Sequence, residues 1–480
     1  MDRQAGQAFG YHEKVSYDRR EMGGHFLDWA NQPRVEKVYP GRRTFELSRE
    51  VGFPDLSLGR ILDKGPPPKE APPLTPERLS RMLFSAYGVS ARARQPGGEL
   101  HLRTAPSAGA LYPCELYLDL AQDRDGSAGY EPGLYHYRPQ THGLTRLGSG
   151  RQDLEGTVFF ITVIPFRSAW KYRARAFRYC CLDTGHLVEN LFLALRAEGY
   201  EPVLELELEE GEVNSFLGVD PERESCLAAV GLGARPISGG PALTREPALA
   251  LESRVSESET VYQPLKEVMA ASRAWAEPAV EEGDPAGLGL ETGETRTLAR
   301  AEDCPEKMSF GQAAAGRRSR RNFIKTEPDP SCLGYLVRMM GAEGPAAFRV
   351  GLLAGEGSGL EEGFHLLDQE TQAPALVRSG DIRSRMASVC LDQAWLGQAA
   401  FHFLFLADLE RLERERGPGG YREAMVLAGR LGQRLYLGAT ALGWGCCGVG
   451  AFYDGEAREL LGLGETSRML YLVGVGPVKG

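Results

Sequence analysis

An internal repeat is the feature that most constrains how this chain of 480 residues can fold. The segment GHLVENLFLALRAEGY (residues 185–200) aligns without gaps on GRLGQRLYLGATALGW (residues 429–444). Further along, NSFLGVD (214–220) matches RELLGLG (458–464) at the same offset. The identical positions of the longer match are Gly185, Leu187, Leu191, Leu193, Ala197 and Gly199. The sequence therefore predicts one folding unit that occurs twice.

Predicted strands and helices extend this match upstream. An apolar run at 158–164 pairs with 401–406, a predicted strand at 133–137 with 363–367, and a predicted helix at 79–88 with 333–341. The period is too long for a solenoid, whose repeats are short supersecondary units. Two copies in one chain most simply form a pseudo-two-fold pair, the single-chain form of a C2 dimer. The predicted fold class is therefore α+β, with two related domains in a single-chain pseudo-dimer.

Composition along the chain suggests where the domains begin and end. Residues 1–54 are polar and irregular, which predicts an N-terminal extension. Residues 237–305 are rich in Glu, Ala, Gly and Pro, which is typical of a linker. The first domain is then predicted at 55–236 and the second at 306–480. A helix is predicted from residue 173 to residue 199 in the first domain.

Charge and hydropathy exclude several classes of protein. The formal net charge of −10 argues against a nucleic-acid groove or an anionic membrane surface as the main partner. The longest apolar runs, 158–166 and 401–407, are far too short to span a bilayer. The N-terminal segment lacks the apolar core of a signal peptide. The nine cysteines have no zinc-binding spacing, so we expect reduced thiols, no metal site and a cytoplasmic location.

The stretch RTAPSAGALYP at residues 103–113 contains a turn that could lie against a flat ligand. Pro106, Ser107, Ala108 and Gly109 (the 106–109 turn) precede an alternating apolar run that predicts a strand. Such a turn exposes backbone N–H groups and carries no bulky side chain, so a planar polar molecule can approach it closely. On these residues alone, an ordinary loop that leads into a strand is the stronger interpretation.

The arginine segment, GRRSRRNF at residues 316–323, combines guanidinium groups with a hydroxyl group. Arginine forks and a hydroxyl are the donors that a phosphate group needs. Its candidate phosphate-binding residues are Arg317, Arg318, Ser319 and Arg321. The corresponding place in the first copy, residues 58–66, has no such cluster. A solvated basic turn is the alternative interpretation.

The glycine-rich segment GWGCCGVG at residues 443–450 follows the long helix of the second copy. Its glycines allow the backbone to approach a ligand closely. The candidate ligand-lining residues are Gly445, Cys446, Cys447 and Gly448. The segment is not a GxGxxG fingerprint after a strand, so it does not indicate a Rossmann dinucleotide site. A helix C-cap and turn would explain Gly443 but not the later glycines.

Lys171 and Tyr172 stand side by side after the central apolar run. An amine and a phenol can act as base and acid if the site keeps the lysine uncharged. Two surface residues at the start of a helix are the alternative interpretation, and the dipeptide alone does not decide between them.

Taken together, these motifs resemble those of a known family. The stretch RTAPSAGALYP, followed by Lys171-Tyr172 and RAFRYCCLDTGHLVENL (175–191), resembles the SagB-type (ThcOx-like) dehydrogenases of the FMN-dependent nitroreductase superfamily. The arginine segment, the glycine-rich segment and the terminal LYLVGVG look like motifs of the same superfamily. The resemblance implies α/β sandwich domains with mostly antiparallel sheets, and FMN bound where two domains meet. It also implies oxidation of thiazolines or oxazolines to azoles.

The resemblance further implies which FMN-binding residues each copy supplies. The arginine segment occurs only in the second copy, and the 106–109 turn only in the first, because residues 349–363 offer nothing similar. We therefore expect one FMN per chain at the pseudo-dimer interface, with a vestigial second site. The arginine segment would bind the phosphate and ribityl oxygens. The 106–109 turn would pack on the isoalloxazine ring, and residues 445–448 would line its other edge. Lys171 and Tyr172 match the family's proton-transfer pair.

Three functions remain open at this point. The first is an azoline dehydrogenase that acts on a modified peptide or a related natural product, with a cyclodehydratase-type biosynthetic partner. The second is an NAD(P)H-dependent reductase of nitro, quinone or ene substrates. The third is a non-catalytic flavin- or peptide-binding partner in a biosynthetic complex, against which the intact Lys171-Tyr172 pair argues.

Overall fold

The computed structural model describes residues 6–24, 26–50, 52–63, 72–95, 98–121, 129–150, 156–232, 255–276, 288–341, 344–355 and 357–479. The chain divides into two compact units, and each is described by itself. The N-terminal unit comprises residues 26–262 with 314–316. The C-terminal unit comprises residues 1–25, 263–313 and 317–480. Residues 1–25 and 263–305, for which the sequence predicts an extension and a linker, group with the C-terminal unit, and the predicted domain boundaries stay predictions.

The helices and strands are numbered in chain order. The α-helices are α1 (Gln7–Lys14), α2 (Leu58–Leu62), α3 (Pro76–Tyr87), α4 (Pro165–Tyr172), α5 (Ala176–Ala197), α6 (Glu210–Leu217), α7 (Gln263–Ala271), α8 (Phe310–Gly316), α9 (Pro330–Met340), α10 (Ile382–Val389), α11 (Leu409–Arg416), α12 (Gly419–Ala441) and α13 (Asp454–Leu461). Short 3-10 turns cover Trp29–Asn31, Ala108–Ala110, Arg173–Arg175, Ala301–Asp303 and Ala394–Gln398.

The strands are β1 (Thr44–Glu46), β2 (Val89–Gln95), β3 (Gly98–Arg103), β4 (Cys114–Leu120), β5 (Gly133–Arg138), β6 (Gly143–Gly148), β7 (Val158–Val163), β8 (Pro202–Glu205), β9 (Ser225–Leu232), β10 (Phe348–Ala354), β11 (Gly363–Leu367), β12 (Pro374–Ser379), β13 (Phe401–Asp408), β14 (Gly445–Val449) and β15 (Ser467–Gly476). Strands β2 and β3 form a separate hairpin.

The two main sheets have the same design. The sheet of the N-terminal unit has the order β1-β6-β5-β4-β7-β9-β8, and that of the C-terminal unit has the order β12-β11-β10-β13-β15-β14. Their neighbouring strands are antiparallel. Apart from the added edge strand β1, each strand of one sheet has a counterpart at the same place in the other. The predicted α+β class and the predicted repeat are confirmed.

Matching glycines end the matching helices. Gly199 after α5 and Gly443 after α12 both have positive φ, +88° and +76°. Gly218 after α6 and Gly462 after α13 are both left-handed, with φ of 69° and 70°. Glycine adopts this conformation at no steric cost and ends helices for that reason. The glycine pairs found in the sequence alignment are thus conformational requirements of the fold.

Three local predictions are corrected by the structure. The helix predicted from residue 173 is interrupted, because Arg173 has φ +52° and ψ −135°, so α5 begins at Ala176. Residues 445–449 form edge strand β14 rather than a turn. Cys304 is disulfide-bonded to Cys332, so the expectation of reduced thiols is wrong for this pair. Strand β14 and the disulfide depend on contacts with distant parts of the chain, through β15 and Cys332.

The first described residues of the chain are held in the C-terminal unit by polar contacts. The Glu413 carboxylate accepts the N–H groups of Gln7 and Ala8 at 2.8 and 3.0 Å, and so caps α1. Buried His12 lies 3.3 Å from an Asp454 oxygen, and the other oxygen of that carboxylate accepts the Tyr17 N–H at 2.9 Å. These bonds explain why residues 6–24 group with a part of the chain more than 380 positions away.

A buried ion pair anchors the segment around Lys37 in the core of the N-terminal unit. Lys37 Nζ lies 2.5 Å from a Glu224 oxygen and donates to the Tyr117 hydroxyl at 2.8 Å. Tyr117 and Thr162 donate to the other Glu224 oxygen at 2.9 and 2.6 Å. Lys37 and Glu224 are only 2% and 3% exposed, so neither charge is solvated by bulk water. Loss of one partner would leave the other charge buried and unpaired.

We predict that Lys37→Met destabilises the N-terminal unit by about 3–5 kcal/mol, because the Glu224 carboxylate keeps its burial and loses its cation. Denaturant-induced unfolding, followed by far-UV circular dichroism, measures this loss of stability as a lower denaturant midpoint for the N-terminal unit. The matched control is Lys14→Met, since Lys14 is exposed and 4.0 Å from exposed Glu267. That change should cost at most about 1 kcal/mol. Equal effects of the two substitutions would contradict a structural role for the buried pair.

Candidate active site

The 106–109 turn connects strand β3 to strand β4 in an unusual backbone conformation. Gly109, Ala110 and Tyr112 all have positive φ, of 65°, 55° and 46°. Residues with a Cβ atom adopt this region at a cost, which persists only where surrounding contacts enforce it. Pro106 is buried, whereas Gly109 is exposed. The turn therefore presents a strained stretch of backbone at the surface of the N-terminal unit.

Asp183, on α5, holds this turn by two hydrogen bonds. The Ser107 hydroxyl donates to one carboxylate oxygen at 2.5 Å, and the Ala108 N–H donates to the other at 3.3 Å. The Ser107 oxygen in turn accepts the Tyr112 N–H at 2.8 Å. Burial raises the pKa of Asp183 to about 7, although the two donated hydrogen bonds lower it. The carboxyl group thus links the helix to both sides of the turn.

Sequence reasoning gave Asp183 no role, although it lies within the motif 175–191. The available signal was a single carboxylate in an otherwise apolar stretch, CCLDTGHL. A buried carboxylate needs hydrogen-bond donors, so such a residue predicts a polar partner from another element. Which element supplies that partner is a question that the sequence does not answer.

Lys171 and Tyr172 end helix α4 next to the 106–109 turn. A Cβ atom built on Gly109 would lie 3.0 Å from the Tyr172 hydroxyl and 3.3 Å from Lys171 Nζ. The Tyr172 ring stacks on the Tyr179 ring, with 4.1 Å between centroids and 31° between planes. Both residues are half-buried. The structure therefore brings the predicted acid–base pair together with the predicted ligand-facing turn, and any side chain at position 109 would crowd them.

A small apolar cluster supports α4 from behind. Its buried members are Leu111, Phe166 and Trp170, and its half-buried members are Leu27 and Tyr172. The Trp170 indole N–H donates to the Asp28 carbonyl at 2.8 Å. Trp29 packs edge-on against Trp170 at 5.2 Å and is itself 68% exposed. Residues 27–29 thus fix the helix end that carries Lys171 and Tyr172.

In the C-terminal unit, the arginine segment runs beside strand β14. Ser319 and Cys446 form a parallel bridge, and the Arg320 N–H donates to the Cys446 carbonyl at 2.9 Å. Arg317 is buried, Arg318 is half-buried, and Ser319 and Arg321 are exposed. The structure therefore joins the predicted phosphate-binding residues to the predicted ligand-lining residues 445–448. Exposed Ser319 and Arg321 are open to a solute.

Tyr436, on α12, organises this junction. Its hydroxyl accepts the Gly448 N–H at 2.8 Å and lies 3.0 Å from the Ser319 hydroxyl. The Arg317 guanidinium lies 5.3 Å from the centre of its ring, a cation–π contact. Sequence reasoning missed Tyr436, although the aligned residue of the first copy, Phe192, lacks a hydroxyl. That exchange was the signal that the second copy needs a polar group at this position.

Packing inside the unit requires two glycines of β14. A Cβ atom on Gly448 would collide with the Tyr471 hydroxyl, and one on Gly445 would collide with the Val478 side chain. Burial raises the pKa of both the Cys446 and Cys447 thiols, so neither is a thiolate at neutral pH. These glycines therefore allow side chains of the same unit to approach β14 closely, and their predicted contact with a ligand stays a prediction.

The structure also corrects the place of the missing turn in the second copy. Strand β10 is the counterpart of β4, so the counterpart of the 106–109 turn lies just before β10. Residues 341–347, GAEGPAA, occupy that place, of which 342 and 343 lie outside the described residues. The earlier comparison with residues 349–363 used β10 itself and the connection that follows it. No Pro-Ser pair occurs at the corrected position in the sequence either.

Among the described residues, no helix is long and apolar enough to cross a membrane.

Comparison with known proteins gives a consistent result. A model of the nitroreductase family matches residues 69–234 and 360–477, one stretch in each copy. A nitroreductase-type protein of Methanocaldococcus jannaschii is 30% identical over 189 residues, which cover 35% of this chain and 90% of that protein. The trifolitoxin-processing protein TfxB of Rhizobium leguminosarum bv. trifolii is 31% identical over 237 residues, which cover 44% of this chain and 62% of that protein.

A solved structure extends the likeness to the whole chain. The crystal structure of a nitroreductase-type protein from Anabaena variabilis matches with a TM-score of 0.77 and 26% sequence identity. The match covers 99% of this chain and 100% of that protein.

We predict that Tyr436→Phe destabilises the C-terminal unit by about 1–3 kcal/mol, because the Gly448 N–H loses its acceptor. Thermal unfolding monitored by tyrosine and tryptophan fluorescence measures the shift. Tyr130→Phe is the control, since Tyr130 is half-buried, and it should change stability by less than about 0.5 kcal/mol. An unchanged transition in Tyr436→Phe would show that the hydroxyl does not hold β14.

Proposed function

The chain belongs to the nitroreductase family of oxidoreductases, and on that premise we propose that it is an FMN-dependent dehydrogenase. Its proposed substrate is an azoline ring in a modified peptide or a related natural product, which it converts to the azole. The observation that carries this proposal is the closeness of Lys171 and Tyr172 to Gly109 of the 106–109 turn, which leaves no room there for a side chain. The likeness to TfxB, a protein named for trifolitoxin processing, supports a peptide substrate.

The residues present fit the groups of FMN. Arg317, Arg318 and Arg321 offer guanidinium donors, and Ser319 offers a hydroxyl, which together suit a phosphate and a ribityl chain. The 106–109 turn has only small side chains after Pro106 and an exposed glycine at its tip, which suits a flat ring. We propose that the arginine segment binds a flavin phosphate and ribityl chain, that the 106–109 turn packs on a flavin ring, and that residues 445–448 line a ring edge.

The proposed reaction removes a hydride and a proton from adjacent atoms of the azoline, so a base must accompany the hydride acceptor. Bound FMN supplies the hydride acceptor. Lys171, when uncharged, takes the substrate proton at Nζ. Tyr172, fixed by its stack on Tyr179, presents its hydroxyl beside that amine. The half-burial of both groups reduces their access to bulk water and keeps the proton at the site.

We further propose one FMN per chain. The arginine segment occurs only in the C-terminal unit and the 106–109 turn only in the N-terminal unit, so each copy carries one half of the binding groups. A cyclodehydratase-type protein remains the proposed biosynthetic partner, because such an enzyme makes the azoline that this reaction consumes. Because the family includes nitroreductases, an NAD(P)H-dependent reductase is the competing proposal for this chain.

We predict that Lys171→Ala retains FMN and lowers the turnover of an azoline peptide by about 10²–10⁴-fold, the usual worth of a positioned base. Turnover is measured as azole formation by mass spectrometry, with flavin content read from the absorbance spectrum. Lys171→Arg is the matched variant, because a guanidinium does not give up its proton at neutral pH. It should be as inactive as Lys171→Ala. Undiminished azole formation by either variant would remove Lys171 from the mechanism.

Flavin content tests the proposed stoichiometry. Purified protein saturated with FMN and freed of excess should contain one FMN per chain, as measured by flavin absorbance against amino-acid analysis. Two FMN per chain would contradict the proposal that each copy carries only one half of the FMN-binding groups. A flavin-free protein that does not take up FMN would overturn the proposed function itself, and rapid NAD(P)H oxidation without azole formation would favour the reductase.

A further inference from the structure

Asp183 is the buried carboxyl group at the centre of the candidate site. Every residue from Ala176 to Leu195 of α5 is buried, and Asp183 lies among them with its side chain toward the 106–109 turn. Its hydrogen bonds reach Ser107 and Ala108, which lie 76 and 75 positions earlier in the chain. A charged group in the middle of a buried helix carries a desolvation cost, so its contacts must offset that cost.

We propose that Asp183 is a positioning residue that holds the 106–109 turn in its strained conformation against Lys171 and Tyr172. This inference rests on the proposed function, in which the turn faces the flavin and Lys171 handles the proton. Asp183 itself touches neither Lys171 nor a reacting atom in this proposal. It acts through Ser107 and Ala108, whose backbone leads directly into Gly109.

The strain of the turn explains why such a residue is needed. Ala110 and Tyr112 have Cβ atoms and positive φ, which the backbone avoids unless contacts enforce it. Asp183 enforces it at two places, because the Ser107 hydroxyl that donates to the carboxylate also accepts the Tyr112 N–H. The Asp183 carboxylate therefore holds Ser107 and Ala108 directly. It holds Tyr112, three residues after the turn, through the Ser107 hydroxyl.

These hydrogen bonds are strongest with an ionised Asp183, because both are donated to its carboxylate. Ser107 has one hydrogen, and it donates that hydrogen to the carboxylate while its oxygen accepts from Tyr112. A protonated Asp183 keeps a carbonyl acceptor but loses its charge and part of its acceptor capacity, so the hydrogen bonds from Ser107 and Ala108 weaken. Because burial raises the pKa of Asp183 to about 7, both forms are populated near neutral pH. The turn should therefore be held more firmly above that pH than below it.

Three groups that interact electrostatically with Asp183 have raised pKa values and stay protonated at neutral pH. Burial raises the pKa of Tyr87, Cys114 and Cys180 well above their ordinary values. The charged and titratable neighbours are Tyr87 on α3, Arg103 before the turn, Cys114 on β4, Cys180 and His186 on α5, and Lys171 across the turn. An Asp183 variant keeps His186. Any pH dependence that persists in that variant is therefore not due to Asp183.

Local order and global stability should change in opposite directions with pH. The folded pKa of about 7 lies above the ordinary value of 3.8, so the folded protein binds this proton more tightly than the unfolded chain does. The contribution of Asp183 to stability is therefore complete below about pH 4 and is lost as the pH rises through 7. The hydrogen bonds of the turn strengthen over the same range. A merely structural residue would not produce these opposed trends.

The test is hydrogen exchange of the full chain from pH 5 to 9, read by mass spectrometry in a peptide that spans residues 104–113 and corrected for intrinsic exchange. In the wild-type protein, protection of this peptide should rise about tenfold as Asp183 ionises, the effect expected for about one charge-assisted hydrogen bond. In Asp183→Asn, protection should stay at the low level at every pH. Asp63→Asn, at an exposed position, is the control and should follow the wild-type profile.

Ser107→Ala keeps the proposal testable if Asp183→Asn does not fold. It removes a donor that stabilises the carboxylate, so the midpoint of the protection profile should move above pH 7. A wild-type profile without pH dependence, or Asp183→Asn with wild-type protection, would overturn the proposal. The exchange experiment needs no flavin, so its outcome is independent of whether the protein binds FMN. Loss of FMN binding with an intact exchange profile would instead count against the proposed function alone.

Discussion

Each unit of this protein depends on the burial of one long helix. Helix α5 is buried along almost its whole length, and α12 in the C-terminal unit is nearly as deeply buried. A helix that is apolar on most sides must be covered on most sides, so strands and further helices pack around it. In the N-terminal unit α3 and α4 contact α5, and in the C-terminal unit α9 and α11 contact α12. The two units thus share both the strand order of their sheets and a buried long helix.

One polar group on each of these buried helices organises the candidate residues of its unit. Asp183 on α5 fixes the 106–109 turn, and Tyr436 on α12 joins the arginine segment to β14. A polar group inside a unit is costly unless it is hydrogen-bonded, and its partners are therefore held in a defined geometry. In both copies this polar group lies on the corresponding helix, but it contacts a different segment in each copy.

The buried carboxylate of Glu115 is likewise held in a defined geometry by its partners. Glu115 lies 2.6 Å from Arg167 and 2.8 Å from His136. Burial opposes its ionisation, but the Arg167 charge and the His136 hydrogen bond outweigh burial and lower the pKa of Glu115 to about 2. Arg167 also donates to the Arg34 carbonyl at 2.8 Å. The segment that leads to Lys37 is therefore tied to the base of α4 by fully buried ionic contacts.

The sequence alone determined the repeat, the fold class and the motifs that carry the family resemblance. It could do so because matching small and apolar residues, such as Gly199 with Gly443, meet the same packing requirement in both copies. It could not place the strand β14 or the Cys304–Cys332 bond, because each depends on contacts distant in sequence. Gly448 suggested a ligand, whereas Tyr471 supplies the actual steric reason. Asp183 was visible only as a carboxylate among apolar residues. Its partners, Ser107 and Ala108, became identifiable once the folded chain had brought the helix to the turn.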